Sequence, residues 1–296
     1  MAKQYGGVET GGTKIVCAVG SGPDELSAVE RFPTTDPTET LGRIIDFFSS
    51  HDAIAALGVA SFGPLDLRRD SDAYGSVAAT PKPGWAGTNV RSVLMSALDI
   101  PIAIDTDVNG AALGEWRWGA ARGLDTFVYL TVGTGIGGGG RTNGELMHGM
   151  NHPEMGHLLI PRAHGDDFPG ICPFHGDCLE GMAAGPAIET RWKTPARELG
   201  PMTESAVALE ADYLGSALMN LILTLMPERI VLGGGVMKLP GLLEATRAET
   251  TRKLAGYVDD ARVTSAIDDY IVRPELGDEA GILGAIALAQ RLVDAA

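Results

Sequence analysis

The sequence of 296 residues contains only three cysteines, Cys17, Cys172 and Cys178. It is also poor in basic residues: 23 lysines and arginines stand against 38 acidic residues, for a formal net charge of −15. Nucleic acids and anionic membranes bind positively charged protein surfaces, so neither is expected as the main partner. An anionic ligand such as ATP remains compatible with this charge, because backbone amides and a bound cation can hold phosphates locally.

Three further patterns are missing. The first residues lack the pattern of a secretory signal, and no apolar run looks long enough to span a bilayer. A cytoplasmic protein is therefore expected, and reduced thiols in that compartment argue against a structural disulfide. No segment matches the Walker-type phosphate loop G-x-x-x-x-G-K-[ST].

Apolar strand patterns alternate with helical periodicity along the chain, which indicates the α/β class. The pattern predicts one hairpin around Gly11 and Gly12, and a second glycine-rich hairpin over 127–140. The other predicted strands cover 54–61, 100–106 and 229–235, and the predicted helices include 216–226 and a closing helix over 280–296. The segment 115–125 is the best candidate for a boundary between two halves.

The two halves resemble each other weakly, because each opens with a strand, a Gly/Thr turn and a return strand. The first turn lies in "VETGGTK" and the second in "TVGTGIGGG". Glycines let the backbone approach a ligand closely, and outward N–H groups with threonine hydroxyls can hold phosphate oxygens. Either turn alone could be an ordinary hairpin. Together with a third glycine turn, "LGGGV" at 232–236, the pair favours a nucleotide-binding cleft.

The segment Cys172-x-x-His175-x-x-Cys178 offers three nitrogen or sulfur ligands at two-residue gaps, and His157 supplies a fourth upstream. Such a Cys₂His₂ set prefers tetrahedral zinc, and its close spacing favours zinc over a disulfide or chance. Four protein ligands predict a closed structural site without an open position for a hydrolytic water. Cys17 lies in an apolar strand and is expected to be a core residue.

Asp105 and Asp107 lie at the end of an apolar strand, where Asn109 and small residues open a helix. An acid at this place is a common catalytic group, and a kinase needs a base for the proton of the attacked hydroxyl. The residues alone leave an alternative open, in which Asp107 simply caps the helix.

Six motifs occur in an order that resembles the ROK family of sugar kinases: "ETGGTK", "DTDVNGAALGE", "TVGTGIGGG", "HPEMGH", "CPFHGDCLEG" and "VLGGGVM". The resemblance covers essentially the whole chain. It implies a two-domain actin/hexokinase-like fold with ribonuclease H-like cores and a cleft between the domains. The implied domains are 1–118, with the helix 279–296 packed back on it, and 119–278. The second domain carries the segment "CPFHGDCLEG", called the zinc loop below. "ASFGPLDL", "YGSVAATPKPGW" and the zinc loop are most similar to bacterial fructokinases.

The resemblance also implies site residues and cofactors. Asp107 would be the general base. The implied sugar contacts are Gly63, Thr106, Glu154, His157 and Glu180. The implied nucleotide-binding residues are Glu9, Gly11, Gly12, Thr13, Lys14, Gly133, Thr134, Gly135, Gly233, Gly234 and Gly235. The cofactors would be ATP with Mg²⁺, and a structural Zn²⁺ bound by His157, Cys172, His175 and Cys178. Two positions depart from the family pattern: Glu9 replaces an aspartate and could hold Mg²⁺ through water, and Thr106 replaces an asparagine.

Zinc is expected to orient the sugar-binding residues. With one ring nitrogen of His157 on the metal, the other can donate to a sugar hydroxyl. The segments 61–64 and 80–85 would complete the wall of the sugar-binding site. His148, His152 and His164 are expected to be ordinary surface or core histidines.

The expected reaction is phosphorylation of fructose by ATP, and the alternative is the same transfer to mannose, glucose or an N-acylmannosamine. ROK-type repressors are disfavoured because they carry an N-terminal helix-turn-helix extension, whereas here the phosphate hairpin begins within the first ten residues. A homodimer is implied by the resemblance alone.

Overall fold

The computed structural model describes residues 3–51, 54–80 and 82–295. Pro81, in the predicted wall of the sugar-binding site, and Ala296, at the end of the predicted closing helix, lie outside the described residues. The strands in chain order are β1 (Gln4–Thr10), β2 (Lys14–Gly20), β3 (Leu26–Pro33), β4 (Ile54–Ser61), β5 (Ile102–Thr106), β6 (Phe127–Val132), β7 (Ile136–Thr142), β8 (Glu145–Leu146), β9 (Arg229–Gly233) and β10 (Ile271–Val272). The α-helices are α1 (Pro37–Ser49), α2 (Val90–Leu98), α3 (Asp107–Trp118), α4 (Leu179–Ala183), α5 (Gly185–Trp192), α6 (Thr203–Leu225), α7 (Leu242–Leu254), α8 (Ala261–Thr264), α9 (Ile267–Tyr270) and α10 (Ala280–Asp294).

The first of two compact units comprises Met1–Gly123, Glu145–Pro153 and Glu275–Ala296. Its sheet has the strand order β3-β2-β1-β4-β5. Strands β1, β2 and β3 are antiparallel neighbours, whereas β4 pairs parallel with both β1 and β5. The pairing of β1 with β2 ends at Thr10 and Ile15, which places the predicted glycine turn at the tip of the hairpin.

Alternate residues of a strand point to opposite sides of the sheet, and apolar residues lie on both sides of this one. Helices therefore cover both of its faces. On one side α1 and α2 bury apolar residues such as Ile44 and Leu94 against the strands. On the other side α10 packs Ile282 and Ile286 against Tyr5 and neighbouring strand residues. Cys17 is 0% exposed and belongs to the first of these cores, as predicted from the sequence.

The second unit comprises Leu124–Gly144 and Glu154–Pro274. Within it the strands have the order β10-β9-β6-β7. The predicted second hairpin is present, since β6 and β7 pair antiparallel, while β9 runs parallel to β6 and β10 runs parallel to β9. The mixed α/β class predicted from the sequence is therefore confirmed in both units.

One helical segment corrects an expectation. By length and composition Gly200–Leu225 could cross a membrane, with a mean hydropathy of 1.3, although no such run was expected. Its most apolar stretch is 61% buried inside the protein, where α6 packs against α7. The apolar residues of this helix therefore form core contacts.

The extents of the units differ from the predicted domains 1–118 and 119–278. The main difference is the segment Glu145–Pro153, which belongs to the first unit. Side chains of this segment bond to β5 and to the loop after β4, and that explains the assignment. Helix α10 packs on β1 and β4 of the same unit.

Candidate functional site

The start of α3 decides between the two interpretations of Asp107. The N-cap residue is Thr106, whose hydroxyl accepts a hydrogen bond from the Asn109 amide at 3.1 Å. Asp107 is the first helical residue, and its carboxylate accepts a hydrogen bond from the Val108 amide at 2.9 Å. The interpretation of Asp107 as the helix cap is therefore wrong. The helix N-terminus stabilises the negative charge of Asp107.

Thr106 was predicted to contact the sugar. The structure places it at 3% exposure with its hydroxyl in the helix cap. Threonine is a favoured N-cap residue, which gives the substitution at this position a structural reason. The sugar contact of Thr106 stays a prediction.

Asp105 forms a buried network behind the start of α3. Its Oδ1 accepts hydrogen bonds from the Thr106 amide at 2.8 Å and from Nδ2 of Asn109 at 2.9 Å. Its Oδ2 lies 3.0 Å from Nε2 of His148, and this hydrogen bond raises the pKa of His148 above 6.5. His148 was expected to be ordinary. No local pattern could reveal its partner, because the two residues are 43 positions apart.

We expect the His148–Asp105 pair to make stability depend on pH. A raised pKa in the folded state means that the contribution is complete below the unfolded pKa of about 6.5 and is lost as pH rises through the folded pKa. The difference in unfolding free energy between wild type and His148→Gln should therefore be larger at about pH 5.5 than at about pH 8.5, two values on either side of the unfolded pKa. It should not exceed about 1 kcal/mol, because the His148 side chain is 38% exposed and water screens the pair. Urea denaturation at the two pH values measures it, and equal differences at both would contradict the assignment.

A cavity of about 360 Å³ opens beside this network. It is lined by Arg68, Arg69, Tyr74, Asp105, His148 and Asn151, with their neighbours. Among the residues that the structure describes, none predicted to bind sugar or nucleotide lines this cavity, so it is not the predicted site.

The predicted sugar loop 61–64 follows β4 and is tied to the end of β1. The Thr10 hydroxyl donates to Oγ of Ser61 at 2.8 Å, and the Phe62 amide donates to the Thr10 carbonyl at 2.9 Å. A Cβ atom added at Gly63 would lie 3.5 Å from Cε1 of His152. The Leu65 amide donates to Nε2 of the same histidine at 2.9 Å. His152 therefore supports the loop that carries Gly63, a role that sequence reasoning missed.

The first predicted phosphate turn is narrow and open to solvent. The Gly11 amide donates to the Lys14 carbonyl at 2.8 Å, and the Thr34 hydroxyl donates to the Gly11 carbonyl at 2.8 Å. Gly12, Thr13 and Lys14 are exposed. Their donors can therefore reach an anion in solution.

Glu9 precedes this turn on β1. Its carboxylate lies against the start of α10, where a Cβ atom added at Gly281 would come within 2.5 Å of its Cδ. Burial raises the pKa of Glu9, although the Lys14 charge opposes the shift. The longer side chain that replaces an aspartate is thus accommodated by a glycine at the N-terminus of a helix.

The two glycine turns of the second unit lie next to each other. Gly133 and Gly235 come together, since a Cβ atom added at Gly133 would lie 3.9 Å from the Gly235 amide nitrogen. Gly234 has φ +94°, and a side chain there would meet the Val132 carbonyl oxygen at 2.3 Å, so only glycine fits. The sequence-predicted nucleotide-binding residues here are Gly133, Thr134, Gly135, Gly233, Gly234 and Gly235, and Thr134 is exposed at the tip of its turn.

The four predicted metal ligands converge in the second unit. Ligand atoms of His157, Cys172, His175 and Cys178 all lie within 4.8 Å of one another. Nδ1 of His157 is 3.7 Å from Sγ of Cys172 and 3.5 Å from Sγ of Cys178, and Nδ1 of His175 is 3.7 Å from Sγ of Cys172. The two thiols are free of disulfide bonds.

This cluster fits zinc. Tetrahedral zinc with its usual bond lengths separates a sulfur and a nitrogen ligand by about 3.6 Å, which matches these distances. Burial raises the pKa of the Cys178 thiol to about 11, so ligation has to displace a proton. The residues present can therefore hold a closed structural zinc ion.

The predicted sugar-binding residues of the second unit lie on the same scaffold. Glu154 precedes the turn Met155–His157, and the His157 amide donates to its carbonyl at 3.0 Å. The Leu179 amide donates a hydrogen bond to the Leu158 carbonyl at 2.9 Å. This bond joins the residue after the turn Met155–His157 to the residue after Cys178. Oε2 of Glu180 accepts from the Ile136 amide at 2.9 Å, beside Gly135. The structure thus links Glu180 to the predicted phosphate turn as well.

Each of the two α/β units has a glycine turn at the tip of a β-hairpin, and the fold is the actin/hexokinase-like architecture of sugar kinases. The chain belongs to the ROK family, whose model matches residues 5–292. It is 46% identical over 295 residues to a fructokinase of Zymomonas mobilis subsp. mobilis, which covers 97% of this chain and 96% of that protein. It is 40% identical over 295 residues to a fructokinase of Lactococcus lactis subsp. cremoris, with 99% of both chains covered. Its structure is similar to that of a ROK hexokinase from Thermus thermophilus, with a TM-score of 0.81, 30% identity and coverage of 99% and 100% of the two chains.

Proposed function

We propose that this protein is an ATP-dependent fructokinase that transfers the γ-phosphoryl group to the 6-hydroxyl of D-fructose and releases ADP. The observation that carries the proposal is the acid at the start of α3, because Thr106 caps the helix and Asp107 is not needed for that purpose. The extensive identity to bacterial fructokinases supports fructose as the sugar.

Asp107 accepts the proton of the 6-hydroxyl as the hydroxyl oxygen bonds to the γ-phosphorus. The bond from that phosphorus to the bridging oxygen breaks, and ADP leaves with the electron pair. A carboxylate at a helix N-terminus stays ionised at neutral pH, which keeps the base ready to accept a proton.

In each unit, backbone amides and hydroxyls of a glycine turn are the groups proposed to contact phosphates of ATP. The first unit supplies the exposed turn Gly11–Thr13 with Lys14, and the second supplies Gly133–Gly135, while Gly233–Gly235 leaves room for the adenosine. Mg²⁺ bound with ATP would neutralise charge on the phosphate oxygens. Glu9 is the carboxylate proposed to hold its water shell.

The proposed sugar contacts are Gly63 and Thr106 in the first unit, and Glu154, His157 and Glu180 in the second. Nδ1 of His157 points to the two thiols, so Nε2 is the ring nitrogen proposed to donate to a sugar hydroxyl. A zinc ion held by the Cys₂His₂ cluster would fix that ring orientation. We also propose a cytoplasmic location and a homodimer, on the basis of the family resemblance.

A coupled ADP-release assay with fructose, mannose, glucose and N-acetylmannosamine tests the sugar preference. The highest kcat/KM is expected with fructose, by at least about tenfold, the range that pocket contacts discriminate. A higher kcat/KM with one of the other three sugars would keep the phosphotransferase and overturn fructose as its substrate.

A further inference from the structure

Lys82 lies in the first unit at the predicted phosphate turn, although it is 70 positions away in sequence. Its ammonium group donates a hydrogen bond to the carbonyl of Gly12. Gly12 is the exposed central residue of the turn Gly11–Thr13. The lysine therefore adds a positive charge at a turn whose backbone already presents anion-binding groups.

A buried tryptophan anchors the segment that carries this lysine. Trp85 is 0% exposed, and its indole N–H donates to the Thr35 carbonyl at 2.9 Å. The Trp85 amide donates to the Lys82 carbonyl at 3.3 Å, and the indole packs edge-on against Phe62 with ring centroids 5.0 Å apart. The backbone at Lys82 is thus fixed by the core beside the sugar loop.

The charge of Lys82 has no acidic partner in residues 3–51, 54–80 and 82–295, where no ion pair includes it. Besides the Gly12 carbonyl, the ammonium group lies 5.3 Å from the centroid of the Phe62 ring. Burial lowers the pKa of Lys82. A carbonyl and a ring are weaker partners for a cation than phosphate oxygens are, so an arriving phosphate can replace them.

We propose that Lys82 is a catalytic residue that contacts the transferred phosphoryl group and stabilises the charge on its oxygens during transfer. The inference rests on the proposed function and adds a group to it. Asp107 receives the hydroxyl proton, while Lys82 keeps its own protons and donates hydrogen bonds to the moving group. This role of Lys82 differs from the sequence-based expectation, which placed the segment 80–85 only in the wall of the sugar-binding site.

The test compares Lys82→Met and Lys82→Arg with Lys3→Met, a control that removes an exposed lysine outside the site. We expect Lys82→Met to lower kcat about a hundredfold or more, as loss of one charge-stabilising donor does, with the KM for fructose changed less than about threefold. Lys82→Arg should recover part of the loss, and the control should match wild type. Unchanged kcat in Lys82→Met, or a raised KM with unchanged kcat, would overturn the proposal.

A binding measurement separates this role from a structural one. ADP, Mg²⁺, fructose and tetrafluoroaluminate together form a complex that mimics the transferred phosphoryl group. Titration should show that Lys82→Met weakens binding of this fluoride complex by about the same factor by which it lowers kcat. Binding of ADP alone should change less than about twofold, because the lysine acts on the transferred group. Equal weakening of both ligands would overturn the proposal. If wild type does not phosphorylate fructose, the proposed function fails; if wild type is active and Lys82→Met equals it, only the inference about Lys82 fails.

Discussion

Asp107→Asn is expected to bind nucleotide normally and to lose nearly all phosphoryl transfer, with kcat at least about a thousandfold below wild type. Asparagine has almost the same shape, and its amide oxygen can still accept the hydrogen bond from Val108. It cannot accept a proton from the sugar hydroxyl. The change therefore removes the base and little else.

Stability should fall by less than about 1 kcal/mol, because Thr106 caps α3 and only the favourable charge at the helix N-terminus is lost. Asp99→Asn is a matched control: Asp99 is exposed at the end of α2 with φ +52°, a conformation that asparagine also adopts. Steady-state kinetics and nucleotide titration measure both variants. A general base usually raises the rate by about a hundredfold or more. A kcat of Asp107→Asn within about tenfold of wild type would therefore remove Asp107 from that role.

Cys178→Ala is expected to have the second largest effect. Wild type should contain about one zinc ion per chain, and the variant should contain almost none, because structural zinc sites need all four protein ligands. The zinc loop would then lose the constraint on His157, and Glu180 follows Cys178 closely on α4. We expect a lower melting temperature and a KM for fructose raised about tenfold, as disrupted support around a metal site produces.

Cys17→Ala is the control for loss of a buried thiol. Cys17 is 0% exposed in the core of the first unit and is not part of the cluster, so its loss should cost about 1 kcal/mol and leave the zinc content unchanged. Metal analysis, thermal unfolding and kinetics apply to both variants. Active wild-type protein without zinc, or a Cys178→Ala variant that keeps its zinc, would contradict the assignment.

Features that depend on short segments were predictable from the sequence. The turns at Gly11–Gly12 and Gly133–Gly135 follow from glycines between alternating apolar strands, and the structure has both hairpins. The zinc ligands follow from the two-residue gaps of Cys172, His175 and Cys178, and their atoms do converge.

Contacts between distant residues were not predictable. His148 bonds to Asp105 across 43 positions, and Lys82 bonds to Gly12 across 70. Neither pair has a periodic or spaced signal, because each depends on how the sheet and its loops fold. The role of Asp107 was ambiguous for another reason: aspartate is favoured at helix N-termini, and only the structure shows that Thr106 is the cap.

The most direct test of the account is the identity of the product. Purified protein incubated with ATP, Mg²⁺ and fructose is followed by phosphorus and carbon NMR, with Asp107→Asn in parallel. The account predicts fructose 6-phosphate and ADP in equal amounts from wild type and almost no product from the variant. Phosphorylation at another hydroxyl, ATP hydrolysis without sugar phosphate, or equal product from both proteins would contradict it.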